Sequence, residues 1–86
     1  MADKLVSIGF YGRLAEVIGR ERQVPLPAGG CTLGEIKGAI ARLDSAAGEA
    51  ILARGTRGAI DDRFAGDDAL AAPGQRIEFM SPLSGG

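Results

Sequence analysis

The strongest chemical signal in the sequence is its C-terminal end, where Gly85 and Gly86 close a short segment that begins with Ser81 and Pro82. Glycine has no Cβ, so a chain that ends in two glycines can enter a channel that closes around backbone atoms. The α-carboxylate of Gly86 is ionised at neutral pH and is a poor electrophile. Adenylation by ATP would turn it into a mixed anhydride with AMP as the leaving group, and a persulfide, a thiolate or an amine can attack its uncrowded carbonyl. The terminus therefore predicts that Gly86 is activated by a partner enzyme.

The composition argues against a self-contained catalyst. The chain has 86 residues, enough for one compact domain with a small core and too few for a deep active site of its own. Histidine is absent, which excludes Ser-His-Asp and Cys-His catalysis and every metal site that needs histidine. The acidic pairs at 61–62 and 67–68 lack the further oxygen ligands of a calcium loop, so we expect no metal site. These observations favour a carrier or a binding module.

Charge and cysteine content limit the partners and the compartment. The net charge is −1, with 10 basic and 11 acidic residues spread along the chain, so no basic stripe for nucleic acid is present. Cys31 has no second cysteine to pair with, which indicates a reducing compartment, and we expect it to be structural. The N-terminal apolar run is too short for a signal peptide or a membrane span. We therefore expect a cytoplasmic protein without nucleic-acid or membrane partners.

Hydrophobic periodicity predicts an α+β domain in front of the glycine-terminated segment. Thr32 and Glu35 have capping-box spacing at the start of the clearest helix. Pro25 lacks a backbone donor and places its strand at a sheet edge. In chain order the predicted elements are strand 6–11, short helix 14–18, strand 23–27, main helix 32–43, helical turn 50–52, strand 58–60 and strand 76–80. One main helix with short helical turns on a mixed four- or five-stranded sheet fits this order.

Two stretches in the second half of the chain give weaker signals. Residues 44–58 show only the short helical turn, which Arg54 and Gly55 end. Leu70 is isolated among small and acidic residues, and we predict that it anchors in the core. Tight turns are predicted at 61–62 and 73–74, because Asp-Asp and Pro-Gly favour turn geometry.

The closing segment, residues 77–86, resembles that of the molybdopterin synthase small subunit, a ubiquitin-like sulfur carrier with the β-grasp fold. In that family an apolar strand is followed by one or two prolines, an aliphatic residue, a small hydroxylated residue and Gly-Gly. Residues 10–19 resemble the family's first strand and short helix, and residues 32–43 resemble its main helix. The resemblance implies a β-grasp domain over residues 1–80 and a flexible C-terminal tail over residues 81–86.

The chain also departs from the family pattern. Ser81 stands where the family usually has a first proline, and Ala15 stands where an arginine is common. Gln75 replaces an acidic residue after the turn glycine, and Asp61 lies near a position that is often asparagine. Residues 44–58 match poorly. These departures leave the chemistry of the terminal glycines intact and bear on partner recognition.

The resemblance implies a function in two stages. A ubiquitin-activating-like adenylyltransferase uses ATP and Mg²⁺ to adenylate Gly86, and a sulfurtransferase supplies the sulfur of a thiocarboxylate. The tail then enters the large subunit of molybdopterin synthase, in an expected heterotetramer, and donates sulfur to a cyclic pterin precursor. This chain is the non-catalytic small subunit in that scheme and binds no cofactor itself.

The resemblance and the position of residues near the tail predict which residues contact the partner protein. The tail residues expected to thread into the partner are Pro82, Leu83, Ser84 and Gly85. The apolar residues expected at the partner interface, near the start of the tail, are Phe10, Leu70 and Phe79, with Arg13 and Arg76 as charges at its rim. The alternative for Phe10 and Phe79, favoured for Phe10, is that they belong to the core.

Three alternative functions stay open from the sequence. A sulfur carrier for thiamine or cysteine synthesis uses the same activation, although the length of the chain and Pro82 count against a thiamine carrier. A ubiquitin-like modifier would pass the activated carboxyl group to a lysine of another protein. A β-grasp interaction module would have a tail without chemistry.

Overall fold

The computed structural model describes residues 3–82, which form seven strands and three helices. The strands are β1 (Lys4–Tyr11), β2 (Glu21–Leu26), β3 (Cys31–Thr32), β4 (Arg57–Ile60), β5 (Arg63–Ala65), β6 (Leu70–Ala71) and β7 (Ile77–Met80). The helices are α1 (Arg13–Ile18), α2 (Leu33–Ala41) and α3 (Ser45–Ile51). None of the helices in the described part of the chain is long and apolar enough to cross a membrane.

Five strands form one mixed sheet in the order β2-β1-β7-β4-β5. β7 runs parallel to β1, whereas the other neighbouring pairs are antiparallel. The last strand of the sequence therefore lies at the centre, with a neighbour on each side. β2, which contains Pro25, is an edge strand as predicted, because proline has no N–H for a further neighbour. The predicted α+β architecture with a mixed four- or five-stranded sheet is confirmed, and the sheet has five strands.

Alternation along the strands separates a covered face of the sheet from an open face. Val6, Ile8 and Phe10 of β1 and Ile77 and Phe79 of β7 are buried on the covered face. The rings of Phe10 and Phe79 stack with their centroids 6.3 Å apart. Helical residues complete the same core, namely Leu14, Ile18, Leu33, Ile36, Ile40, Ala47 and Ile51.

The main helix begins at the predicted capping box. The Glu35 N–H donates to Thr32 Oγ1 over 3.1 Å, and the Thr32 N–H donates to Glu35 Oε1 over 2.8 Å. Each side chain thus satisfies a backbone donor that the start of the helix leaves without a helical partner. The helix ends at Ala41, earlier than the predicted Leu43, because a new helix begins after Asp44.

That new helix, α3, is longer than the helical turn predicted at 50–52. Asp44 caps it, since its Oδ1 accepts from the Ala47 N–H over 2.7 Å. Its buried residues are Ala47, Gly48 and Ile51, two of which are too small to mark an apolar face in the sequence.

Leu70 is not the core anchor that the sequence predicts. β3 and β6 form a separate two-stranded sheet, in which Thr32 lies opposite Leu70 and Cys31 lies opposite Ala71. Successive residues of a strand point to opposite sides. Ala71 takes the buried position with 1% exposure, and Leu70 is left 72% exposed.

The predicted turn at 61–62 joins β4 to β5, a strand that the sequence did not indicate. Asp61 and Asp62 have φ values of 50° and 68°, the left-handed geometry that a two-residue hairpin loop requires. Asp61 Oδ1 accepts from the Arg76 N–H over 2.9 Å, and Asp61 Oδ2 accepts from Gln75 Nε2 over 3.1 Å. Gln75 and Asp61 both differ from the residues common in the resembled family. Their side chains form a hydrogen bond with each other just before β7 begins.

Candidate functional site

The tail, residues 81–86, leaves the sheet from its central strand. Met80, the last residue of β7, pairs with Tyr11 of β1 on one side and with Arg57 of β4 on the other. Backbone pairing on both sides fixes the position and direction of the strand from which the tail departs.

Ser81 is bound to the first helix. Its Oγ accepts a hydrogen bond of 2.8 Å from the N–H of Arg13, which begins α1. The N-cap residue of that helix is Gly12, which has no side chain to satisfy this donor. Gly12 has a φ of 67°, and a Cβ there would lie 2.6 Å from Ser81 Oγ. Ser81 thus supplies a cap that a proline, the usual family residue, cannot provide.

Pro82 lies against the turn between α3 and β4. A Cβ added at Gly55, whose φ is 90°, would lie only 2.7 Å from Pro82 Cγ. Glycine at this position therefore permits both the turn and the close approach of the proline. The first two tail residues are in contact with the domain, and Leu83, Ser84, Gly85 and Gly86 lie outside the described residues.

A groove of about 430 Å³ lies between α1, α3 and these first tail residues. Its apolar lining includes Val17 and Ala53, and its charged lining is Arg13, Arg54 and Glu49. The groove can therefore accept an apolar side chain, with charges of both signs at its lining. Arg13, expected at the rim of a partner interface, lies beside the start of the tail.

The open face of the sheet presents a second surface at the same end of the molecule. Strand pairing aligns Tyr11, Met80 and Arg57 in one row and places Glu78 and Phe64 in the adjacent row. Tyr11 is 52% exposed and Phe64 is 63% exposed, so both aromatic rings are accessible on this face.

Polar contacts hold the two aromatic rings of this surface. The Tyr11 hydroxyl donates to Glu78 Oε2 over 2.7 Å. This hydrogen bond and the charge of Glu78 raise the pKa of Tyr11 above its usual 10.0. The Arg57 guanidinium lies 5.0 Å from the centroid of the Phe64 ring, within cation–π range. We call Tyr11, Arg57, Phe64, Glu78 and Met80 the open-face patch.

The three apolar residues expected at the interface lie in different places. Phe10 and Phe79 are 1% and 0% exposed and belong to the core, because β1 and β7 turn them to the covered face. Neither ring offers a partner an accessible surface. Leu70 is exposed, but it lies in the two-stranded sheet and not beside β7. Tyr11 and Phe64 were not predicted as contact residues. For Tyr11 the available signal was its position in β1 directly after the buried Phe10, which places its side chain on the opposite face of the sheet.

The remaining candidates differ in exposure, since Cys31 is buried and Arg76 is largely exposed. Cys31 is 8% exposed, and burial, followed by the charge of Glu35, raises the pKa of its thiol. A raised thiol pKa lowers the thiolate fraction that a reactive cysteine needs. Arg76 Nη1 lies 3.6 Å from Asp62 Oδ1, and both side chains are largely exposed. Across residues 3–82, no group of three or more histidine, cysteine or acidic side chains is arranged to hold a metal ion.

Comparison with known proteins identifies the fold. Neither the scan against protein-family models nor the search of curated proteins gives a match. The crystal structure of SAMP1 from Haloferax volcanii matches with a TM-score of 0.79 at 21% identity, over 96% of this chain and 100% of that chain. The chain has the ubiquitin-like β-grasp fold. A crystal structure of the H. volcanii small archaeal modifier protein 1 matches with a TM-score of 0.75 at 20% identity, over 92% of this chain and 98% of that chain.

The β-grasp fold accounts for the position of the tail at the end of the central strand. The sheet wraps the main helix, and the strand that carries the tail is paired on both sides at the centre of that sheet. At 20–21% identity the similarity concerns the fold and leaves the chemistry of the tail to be argued from this chain's own residues.

Proposed function

We propose that this chain is a sulfur carrier for molybdenum cofactor biosynthesis, that Gly86 is its carboxyl terminus, and that Gly86 is adenylated and converted to a thiocarboxylate. The observation that carries the proposal is the departure of the tail from the central strand, with Ser81 and Pro82 held against the domain. The four residues beyond Pro82 span at most about 14 Å. That length delivers a carboxylate into a partner's active site while the folded domain stays outside.

The partners supply the chemistry in this scheme. An adenylyltransferase of the ubiquitin-activating type provides ATP and Mg²⁺, and a sulfurtransferase provides the sulfur. The large subunit of molybdopterin synthase then binds the tail and holds the pterin precursor, in a heterotetramer with two copies of each chain. The contribution of this chain is an uncrowded glycyl carbonyl at Gly86 and a narrow approach through Gly85.

The open-face patch is the proposed docking surface. It shares a strand with the tail, since Met80 precedes Ser81 directly, and its two exposed rings supply the apolar anchors that interfaces favour. Phe10 and Phe79 support this surface from the core beneath it. Leu70 is retained as a candidate contact outside the patch.

A substitution in the tail tests the threading step. Gly85→Val places a branched side chain where a closed channel has room only for hydrogen, so we expect it to block sulfur transfer in the complex with the large subunit. Ser84→Ala removes one hydroxyl without adding bulk, and this matched control is expected to retain transfer. Equal activity of the two variants would contradict a channel that closes at Gly85.

A specific observation favours a second function, that of a protein modifier. Both solved structures described above carry the name of an archaeal modifier protein or its abbreviation. Activation is the same in both functions, and the final acceptor differs. In the second, a lysine amine of a target protein attacks the activated carbonyl of Gly86.

Cells that lack this protein distinguish the two functions. The sulfur carrier predicts loss of molybdoenzyme activity, which the wild-type chain restores and a Gly86 deletion does not. Intact molybdoenzymes together with loss of high-mass conjugates of the chain would show that the modifier is correct. A chain extended by one residue after Gly86 serves as the control, because it keeps the domain and blocks the carboxyl group in either function.

A further inference from the structure

The groove between α1, α3 and the start of the tail has no role in the sulfur-transfer scheme. Val17 lies one helical turn after Arg13 on α1 and forms one apolar wall, and Ala53, just beyond the end of α3, forms another. Val17 is 41% exposed, so the domain covers its side chain only in part. The groove of about 430 Å³ therefore has room for a further aliphatic side chain.

The wall at the end of α3 is held by hydrogen bonds within the domain. Thr56 Oγ1 donates to the Ala50 carbonyl over 3.3 Å, and the Thr56 N–H donates to the Ala53 carbonyl over 3.2 Å. Thr56 thus ties the turn before β4 to the last residues of the helix, so this wall belongs to the folded domain.

The first two tail residues run along the groove and form part of its lining. Ser81 is bonded to the start of α1, and Pro82 lies against Gly55, the residue directly after Arg54. Consecutive Cα atoms of a chain are about 3.8 Å apart. The next residue, Leu83, is therefore attached directly to a residue that lines the groove.

The chemistry of the groove fits the end of the tail. Leu83 is the one aliphatic residue among residues 83–86, which otherwise comprise a serine and two glycines. Arg13 and Arg54 outnumber Glu49 in the lining, so an anionic group is favoured beside the apolar side chain. In the proposed function Gly86 carries such a group, a carboxylate three residues after Leu83.

We propose that this groove binds the chain's own Leu83, so that the tail is docked on its domain when no partner holds it. Leu83 then covers Val17 and Ala53, and the carboxylate lies near the arginines of the lining. The groove and the activating enzyme compete for the same segment, because Leu83 also belongs to the residues expected to thread into the partner. Docking lowers the fraction of molecules whose tail can enter an active site, and this regulatory effect rests on the proposed function.

Nuclear magnetic resonance of the full chain tests docking without any partner. We expect nuclear Overhauser contacts between the methyl groups of Leu83 and Val17, and a shift of the Val17 methyl signals in Leu83→Ala. Leu70 lies in the other sheet, and its methyl signals serve as the unshifted reference. Ser84→Ala is the matched control and should keep the contact. Absence of the contact, or a contact found only between differently labelled copies, would overturn the proposal.

Pyrophosphate exchange with the adenylating enzyme tests the regulatory effect. Val17→Ser removes the apolar wall and Ala53→Leu fills the groove, so both should release the tail, with Val17→Ala as the milder variant if Val17→Ser does not fold. Release from a state that holds half to four-fifths of the molecules lowers KM about twofold to fivefold. A KM that is unchanged or raised in both variants would overturn the proposal, and a raised KM would identify a partner's side chain as the occupant.

The two measurements separate this inference from the proposed function. A contact between Leu83 and Val17 without pyrophosphate exchange would support docking and overturn the activation of Gly86. Exchange without that contact would support activation and overturn docking.

Discussion

The two faces of the central sheet are built from the same strands and differ in how far their side chains are buried. On β1 and β7 the residues of the covered face, such as Phe10 and Phe79, are almost fully buried against the helices. Their neighbours along the same strands, Tyr11 and Met80, lie on the open face. Alternation thus separates buried residues from exposed ones at a spacing of one residue, and recognition by the exposed ones is part of the proposed function. Substitutions on the covered face should change folding, and substitutions on the open face should change binding.

The largest expected effect is that of Phe79→Ala. This ring is 0% exposed and stacks on Phe10, so its removal leaves a cavity and should lower the free energy of unfolding by about 3–5 kcal/mol. Urea denaturation followed by circular dichroism measures the loss. If the variant does not fold, Phe79→Leu, which removes less volume, should show a smaller loss in the same direction.

The matched control on the open face is Phe64→Ala. This ring is 63% exposed, and its removal should cost no more than about 1 kcal/mol, the usual strength of a cation–π contact at an exposed site. Equal losses of stability for Phe64→Ala and Phe79→Ala would contradict the division between the two faces.

The next effect concerns binding. Phe64→Ala should weaken binding to the activating enzyme by about 2 kcal/mol, or roughly thirtyfold in Kd, if Phe64 anchors the interface. Calorimetry measures the change, and Leu70→Ala is the comparison because Leu70 is 72% exposed but lies in the other sheet. Weakened binding for Leu70→Ala alone would instead place the interface at β6.

A smaller effect is expected where the tail begins. Ser81→Ala removes the hydrogen bond to the Arg13 N–H and should lower the free energy of unfolding by about 1 kcal/mol, as for loss of a helix cap. Ser81→Thr keeps the hydroxyl group and should lose less. Unchanged stability in Ser81→Ala would show that solvent satisfies the donor equally well.

The smallest effect is a change of titration. Tyr11 is the chain's one tyrosine, so ultraviolet absorbance reports its ionisation alone. Its hydrogen bond to Glu78 and the charge of that carboxylate raise the pKa, and Glu78→Gln should lower it towards 10.0. A folded pKa above the unfolded value stabilises the protein below the unfolded pKa, and this stabilisation is lost as pH rises through the folded pKa. Titration of wild type and Glu78→Gln at the same pH would contradict the contact.

Elements with a local cause were predictable from the sequence. The capping box of Thr32 and Glu35 and the edge position of Pro25 each depend on a few neighbouring residues, and both are confirmed. α3 was largely missed because Ala47 and Gly48 bury little area and give no apolar periodicity. A strand of two residues has no period at all, which explains why Leu70 was assigned to the wrong side.

Contacts between distant parts of the chain were not predictable. The bond between Ser81 and Arg13 joins residues 68 apart, and nothing near Ser81 indicates that a helix start lies beside it. The open-face patch likewise depends on the order of the strands. Phe64 of β5 and Glu78 of β7 lie in one row because both are opposite Ala59 of β4, the strand between them. The tail residues that the sequence singled out, 83–86, lie outside the described part of the chain.

The most direct test of the central claim is the intact mass of the chain after incubation with its adenylating enzyme, ATP and a sulfur source. The account predicts replacement of one oxygen by sulfur at Gly86, and no replacement when Gly86 is deleted or followed by one added residue. Circular dichroism confirms that these variants fold. Normal sulfur incorporation into the extended chain would contradict the claim that the carboxyl group of Gly86 is the working group of this protein.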